Sequence, residues 1–356
     1  MRRNRFVSSL AAVALGIVPR ISAAEPAKPR LSPAEALQQE VRATVEKASD
    51  AICRIEGDDE HGHLRGTGFF IDADGTLLTS FSVGGESQDI VVTAGKQRFP
   101  ATRLIADSRA GIAVLKIVAE RPVRFLKFGK STGLATASPV VTAGFPLDLP
   151  LSPSYGLVAS MDLGFEGRYF ATRHIRANVP VQRGQGGSPV LNLRGEVVGV
   201  LISTVEQNSG IFALPIEAAT KVIHDFRTYG RVRQGWLGVA DVRLIDTPEH
   251  GSTARILGLR EDGPGYAGGL RPGDVLLQIG GWKITHPEDV LNAAFFLSST
   301  ESLKVRVARA GKEREFTVTP TDPPDGSMPT IERQPPTTLD VYPAAKAGDK
   351  PIGLGQ

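Results

Sequence analysis

Short apolar runs separated by turn residues dominate the chain from Ala51 to about Ile216, at residues 68–71, 77–79, 90–93, 112–117, 140–142 and 197–202. Several close on glycine or on Asp-Gly, as at Asp74-Gly75. Runs this short and frequent, with no helical period between them, predict antiparallel strands in a pair of barrels or a sandwich and argue against an α/β fold. The period changes on both flanks. Ser32-Pro33-Ala34-Glu35 is a capping box with proline at the first helical position, and it predicts a helix to roughly Ala48. Residues 215–229 carry a second helical pattern, stopped by Gly230.

Beyond about Arg233 a second, smaller pattern begins. It predicts strands at 236–241, 254–257 and 275–279, a turn at Pro272-Gly273, and a helix after Thr285, which forms a capping box with Glu288. Val305 and Val307, then Phe316 and Val318, alternate around Ala310-Gly311 and predict a closing hairpin. From Thr321 to Gln356 proline, glycine, lysine and aspartate dominate, the pattern of a flexible tail. At the other end, Met1-Arg2-Arg3-Asn4-Arg5 precedes an apolar run from Phe6 to Val18 and the small residues Ser22-Ala23-Ala24. That is the layout of a cleavable export signal, and an apolar run of about 13 residues is too short to span a bilayer. The chain therefore divides into a signal (1–24), a tether and helix (25–50), a large β domain (51–230), a small domain (231–320) and a tail (321–356).

Composition narrows the function. The 356 residues, 41% hydrophobic and 22% charged, supply more than one core. Four arginines and no acid lie in the first 24 residues, so without them 37 basic residues face 38 acidic ones. The surplus of positive charge belongs to the signal, and the remainder gives no support for nucleic-acid binding. Cys53 is the single cysteine, so no intrachain disulfide forms, and its neighbours Ala51, Ile52 and Ile55 mark a packed strand thiol. No metal-binding cysteine cluster and no cofactor motif stands out. His61 and His63 alternate beside Asp58, Asp59 and Glu60, but no third ligand is defined, and an exposed polar loop is the expected reading.

The stretch Gly184-Gln185-Gly186-Gly187-Ser188-Pro189 closely resembles the Gly-Asn-Ser-Gly-Gly-Pro nucleophile loop of trypsin-like proteases of the HtrA family. Further segments resemble the same family in the same order. Residues 66–79 match its first-barrel opening, 112–117 the strand after its aspartate, Ala143-Gly144-Phe145-Pro146 its Gly-x-Pro turn, and 212–216 its closing strand. Arg233-Gln234-Gly235-Trp236-Leu237-Gly238-Val239 resembles the carboxylate-binding loop of an HtrA-type PDZ domain, and 269–276 its Gly-Leu-x-Pro-Gly-Asp turn. The resemblance implies a mainly β fold, a two-barrel trypsin-like domain followed by a small α+β PDZ domain.

Carried over position by position, the family's catalytic histidine falls on Ser82, its aspartate on Gly111 and its serine on Gly186. Acyl transfer of this type needs a hydroxyl, an imidazole and a carboxylate within hydrogen-bond reach. All three are missing, and no histidine occurs between His63 and His174. Ser188 lies two residues past the nucleophile position, about 6.6–7 Å along an extended chain, and is expected to be a loop residue. Asp107 is expected to cap a turn. The PDZ resemblance implies that peptide C-termini add to a sheet edge at Trp236, Leu237, Gly238 and Val239, with Val290, Ala294 and Leu297 at helical spacing across the groove. The same three helix residues could instead be domain core. The expectation is an exported, periplasmic or secreted, catalytically inactive peptide-binding protein acting as adaptor, holdase or regulator, with no stable membrane span after signal cleavage. The alternatives are an active endopeptidase with rewired residues such as Ser188, and a subunit that pairs with an active relative. The family implies a homo-oligomer.

Overall fold

The computed structural model describes residues 31–165, 168–205 and 209–324. The export signal, most of the tether and tail residues 325–356 lie outside the described residues. Helix α1 (Pro33–Ser49) opens as its sequence predicts: Glu35 Oε2 accepts from Ser32 N at 2.8 Å, and Glu35 N donates to Ser32 Oγ at 3.3 Å.

The strands after α1 close into two six-stranded barrels. The first uses β1 (Ile52–Asp59), β2 (Gly62–Phe70), β3 (Thr76–Ser80), β4 (Gln88–Ala94), β5 (Gln97–Asp107) and β6 (Ile112–Ile117), in the order β1-β2-β3-β6-β5-β4. A short helix, α2 (Phe81–Gly84), follows β3. The second barrel uses β7 (Pro139–Gly144), β8 (Ser152–Phe165), β9 (Arg168–Asn178), β10 (Pro189–Leu191), β11 (Val197–Thr204) and β12 (Ile211–Pro215), in the order β10-β11-β12-β9-β8-β7.

Unbroken apolar pairs in these strands have a simple cause. Successive side chains of a strand point to opposite faces, so a strand buried on both faces is apolar at adjacent positions. Phe70 and Leu77 fill the first barrel with Ile55, Val92 and Leu115. Their neighbours Phe69 and Leu78 face outward into a second core shared with Leu191, Val197, Val200 and Leu214 of the other barrel. Val198 and Leu201 point back into the second barrel with Val140 and Ile175. Helix α3 (Ile216–Tyr229) seals the shared core with Ala219 and Val222, and Gly230 ends it in the left-handed region at φ 70°.

The small domain consists of β13 (Val239–Thr247), β14 (Gly251–Leu259), α4 (Pro264–Ala267), β15 (Val275–Ile279), β16 (Trp282–Lys283), α5 (Glu288–Phe296), β17 (Leu303–Arg309) and β18 (Lys312–Val318). Its sheet runs β13-β14-β15-β17-β18, which leaves β13 at an edge. Two sequence expectations shift. The strand expected from Trp236 begins at Val239, since Gly238 takes φ 79° and breaks the extended run. The cap of α5 is made by Asp289 rather than Glu288: its Oδ2 accepts from Thr285 N at 2.8 Å and Thr285 Oγ1 at 2.7 Å, while Glu288 turns to His286.

Helix α5 also joins the small domain to the second barrel. Asn292 Oδ1 accepts from Thr172 Oγ1 at 2.7 Å and Arg173 N at 3.0 Å, and Asp289 pairs with Arg173. Phe295, 1% exposed, enters the core shared by the two barrels, with Lys221 Nζ 5.2 Å from its ring centre. Phe295→Ala is therefore expected to cost about 3–5 kcal/mol of unfolding free energy. A urea denaturation that shows a loss below about 1 kcal/mol, the size of a surface change, would remove this ring from the shared core.

Candidate functional site

Three loops meet where the barrels touch. After β3, Ser82 lies in the first turn of α2, with its Oγ 3.0 Å from Ser80 Oγ. Between β5 and β6, Asp107 Oδ1 accepts from Arg109 N at 2.9 Å and Ala110 N at 3.2 Å, which makes it the turn cap expected of it. The same turn holds Gly111 at φ 73°, and its carbonyl accepts from Phe81 N at 2.8 Å. Between β9 and β10, Gly184 and Gly187 take φ 88° and 85°. This loop is tied to the first barrel by Thr67 N donating to Gly186 O at 2.9 Å and Thr67 Oγ1 donating to Gly184 O at 2.7 Å. Gly187 N donates to Leu201 O at 2.8 Å. Ser82, Gly111 and Gly186 are thus carried on loops that hydrogen bonds and the barrel seam draw together.

The chemistry at those positions is sparse. Among the described residues the amides of Gly184 and Gly186 donate no hydrogen bond. A side chain at position 111 would need a left-handed backbone and would bring its Cβ to 3.1 Å from Ile202 Cδ1, so the Ile202 side chain would have to give way slightly. Ser188 is fully buried, and its Oγ has no hydrogen-bond partner among the described residues.

His61, His63 and His174 have other partners. His174, on β9, is 1% exposed, with Nδ1 2.7 Å from Thr172 O and its ring 4.2 Å from that of Phe170. Burial pushes its pKa down to about 4, so the ring is neutral near pH 7. His61 lies 3.3 Å from Glu60 and His63 3.0 Å from Asp58, both exposed at the β1–β2 turn. Among the described residues no group of three or more His, Cys, Asp and Glu could hold a metal ion. Cys53 is buried, and burial pushes its thiol far above the ordinary range.

The small domain has a more complete arrangement. Leu237 O accepts from Gly265 N at 2.9 Å and Gly238 O accepts from Arg260 N at 2.9 Å, so both carbonyls turn into the domain. The amides of Leu237 and Gly238 donate no hydrogen bond among the described residues, and they precede the free edge of β13. Across from them, Gly235 N donates to Ala294 O of α5 at 3.2 Å. Leu237 and Val290 lie in the domain core with Ile256 and Leu276, whereas Trp236, Val239 and Ala294 are half-buried and Arg260 stands 5.7 Å over the Trp236 ring. Val290 thus serves the core, and the reachable wall is narrower than the sequence expectation. Asn292 and Arg173, which dock the domain, went unseen in the sequence because their pairing joins positions far apart in the chain.

Comparison with known proteins agrees with this architecture. Residues 66–200 match the trypsin-like peptidase domain, and residues 255–309 match the PDZ domain. A "Probable periplasmic serine endoprotease DegP-like" of Pseudomonas fluorescens is 31% identical over 71% of this chain and 55% of its own length. The protein of the same description from Ectopseudomonas mendocina is 30% identical over 82% of this chain and 64% of its own. The chain therefore spans a little over half the length of these relatives. Among solved structures, "HtrA-type protease AlgW with tripeptide" superposes with a TM-score of 0.66 at 23% identity, over 80% of this chain and 99% of that one. The serine endoprotease of Yersinia pestis gives 0.59 at 21%, over 79% and 97%.

The buried His174 makes stability depend on pH. Its folded pKa, about 4, lies below the ordinary 6.5, so the unfolded chain takes up the proton first as pH falls. The stability this residue contributes is complete above pH 6.5 and is lost toward pH 4, at about 1.4 kcal/mol per pH unit. His174→Gln is expected to flatten that part of the denaturation-versus-pH curve. An unchanged slope between pH 6.5 and 4 would show that the imidazole is not held neutral.

Proposed function

The chain belongs to the HtrA-like family, which joins a trypsin-like peptidase domain to a PDZ domain, and from that premise we propose that it binds peptides without cleaving them. What supports the proposal is the residue set at the barrel seam, where the family resemblance carries the histidine, aspartate and serine positions onto Ser82, Gly111 and Gly186. A glycine offers no nucleophile, and a serine hydroxyl cannot accept the proton that an imidazole would. The scaffold around them is kept, so the family's loops survive without their proton-transfer groups.

The relatives are named as serine endoproteases, which makes a rewired protease the reading to exclude. Ser188 is its best nucleophile, but full burial denies that hydroxyl access to a substrate carbonyl, and among the described residues no base hydrogen-bonds to it. The peptide-binding half of the proposal rests on the unpartnered Leu237 and Gly238 amides beside the free edge of β13. A terminal carboxylate received there would leave the peptide free to extend the sheet. The setting is the periplasm, as in the relatives' description, and among the described residues no helix is long and apolar enough to cross a membrane. Adaptor, holdase and regulator of an active relative are roles this chemistry allows.

Purified protein is expected to take no label from a fluorophosphonate probe and to leave casein intact, and Gly186→Ser alone is expected to change neither result. Labelling that Ser188→Ala abolishes would establish the rewired protease instead.

A further inference from the structure

The chain does not leave the small domain at the end of β18. Residues 319–322 cross back to the loop before β13, although Thr321 and Asp322 were expected to open the tail. Trp236 N donates to Thr321 O at 2.8 Å, and Thr321 N donates to Trp236 O at 3.1 Å. Asp322 pairs with Arg231 and lies 3.8 Å from Arg233 Nε. Burial raises the Asp322 pKa, but the hydrogen bonds from Arg231 and Ser299 and the charges of both arginines outweigh it and keep the carboxylate ionised. Pro320 is buried against the loop, 3.2 Å from where a Cβ on Gly235 would lie, and on the other side that Cβ would overlap Leu297 of the segment after α5. The loop limb is held between the crossing segment and the end of the helix.

We propose that residues 320–322 form a strap that aims the carboxylate-receiving amides of the peptide site, with Thr321 as its positioning residue. The step from contact to function is geometric. The peptide unit joining Trp236 to Leu237 is planar and trans, so its C=O and N–H point in opposite directions. A hydrogen bond from Thr321 N that fixes Trp236 O therefore turns the Leu237 N–H away from the strap, toward the side left unpartnered. Gly265 N fixes the next amide, Gly238, in the same way through Leu237 O.

Arg260, over the Trp236 ring, is paired with Asp262, and Arg233, at the start of the loop, is likewise engaged. Its guanidinium donates to Ser299 Oγ and stacks 4.4 Å over Tyr229, its N donates to Asp225 Oδ2 at 2.8 Å, and its O accepts from Lys221 Nζ. Backbone amides thus carry the recognition, and their direction depends on the strap. The strap lies outside residues 255–309, which match the PDZ domain, so the domain pattern alone does not contain it.

This inference rests on the peptide-binding reading and deepens it to peptides with a free C-terminal carboxylate. The probe is a fluorescein-labelled decapeptide with apolar last residues, prepared as the free acid and as the C-terminal amide, titrated against the full chain. The wild type is expected to prefer the acid, Thr321→Pro, which removes the donor N–H, to lose about five-fold of that preference, and Thr321→Ala, which keeps the N–H, to match the wild type. A chain ending at Thr319 is the second variant if the proline disturbs folding. Full acid preference in the folded proline variant or the shortened chain overturns the strap. Binding of neither peptide by the wild type overturns the peptide-binding reading, and the strap is then judged by hydrogen exchange. Faster exchange across residues 233–239 in Thr321→Pro, with α5 and β14 unchanged, supports it, and unchanged exchange there overturns it.

Discussion

The large domain depends on strands that are buried on both faces. Phe69 and Phe70, or Leu77 and Leu78, are neighbours in the chain, yet one of each pair fills a barrel and the other fills the core between barrels. Each fully buried aromatic or leucine side chain is worth about 1.5–3 kcal/mol over its exposed state, and the seam core collects such residues from both barrels and from α3. Sliding one barrel against the other would expose them together. The loops that hang from β3, β6 and β10 inherit this fixed relation, and Thr67 adds hydrogen bonds across it to Gly184 and Gly186.

In the proposed reading, a seam so well held lets the scaffold stand without the family's chemistry. Positions 82, 111 and 186 are placed by backbone bonds and by neighbours, and none of these bonds requires a particular side chain there. Glycine suits position 111. Gly111 occupies the left-handed region, where a side chain is strained, and its open side is taken by Ile202.

Much of this was legible in the sequence because its causes are local. The strand runs, the Ser32–Glu35 cap, the Gly230 stop and the left-handed Ala310-Gly311 turn follow from period, capping and turn chemistry within a few residues. The loops at Ser82, Gly111 and Gly186 were legible through the family resemblance. What escaped has distant partners. Asn292 meets Thr172 and Arg173 across the domain junction, and Thr321 meets Trp236 from the far side of a whole domain. The α5 cap was misassigned for a different reason: Glu288 and Asp289 are adjacent carboxylates, and burial against Arg173 selects Asp289.

Helix α5 joins these themes because it is used on two sides. Burial alone raises the pKa of Asp289, but the amide and hydroxyl of Thr285 and the charge of Arg173 bring it below the ordinary value, so the carboxylate that caps the helix also anchors it to β9. Ala294, toward the other side, accepts from Gly235 of the loop that carries the free amides. A helix fixed by Asp289, Asn292 and Phe295 at one face cannot widen freely at the other. In the proposed role this sets the groove width before any peptide arrives, so less ordering remains to oppose binding.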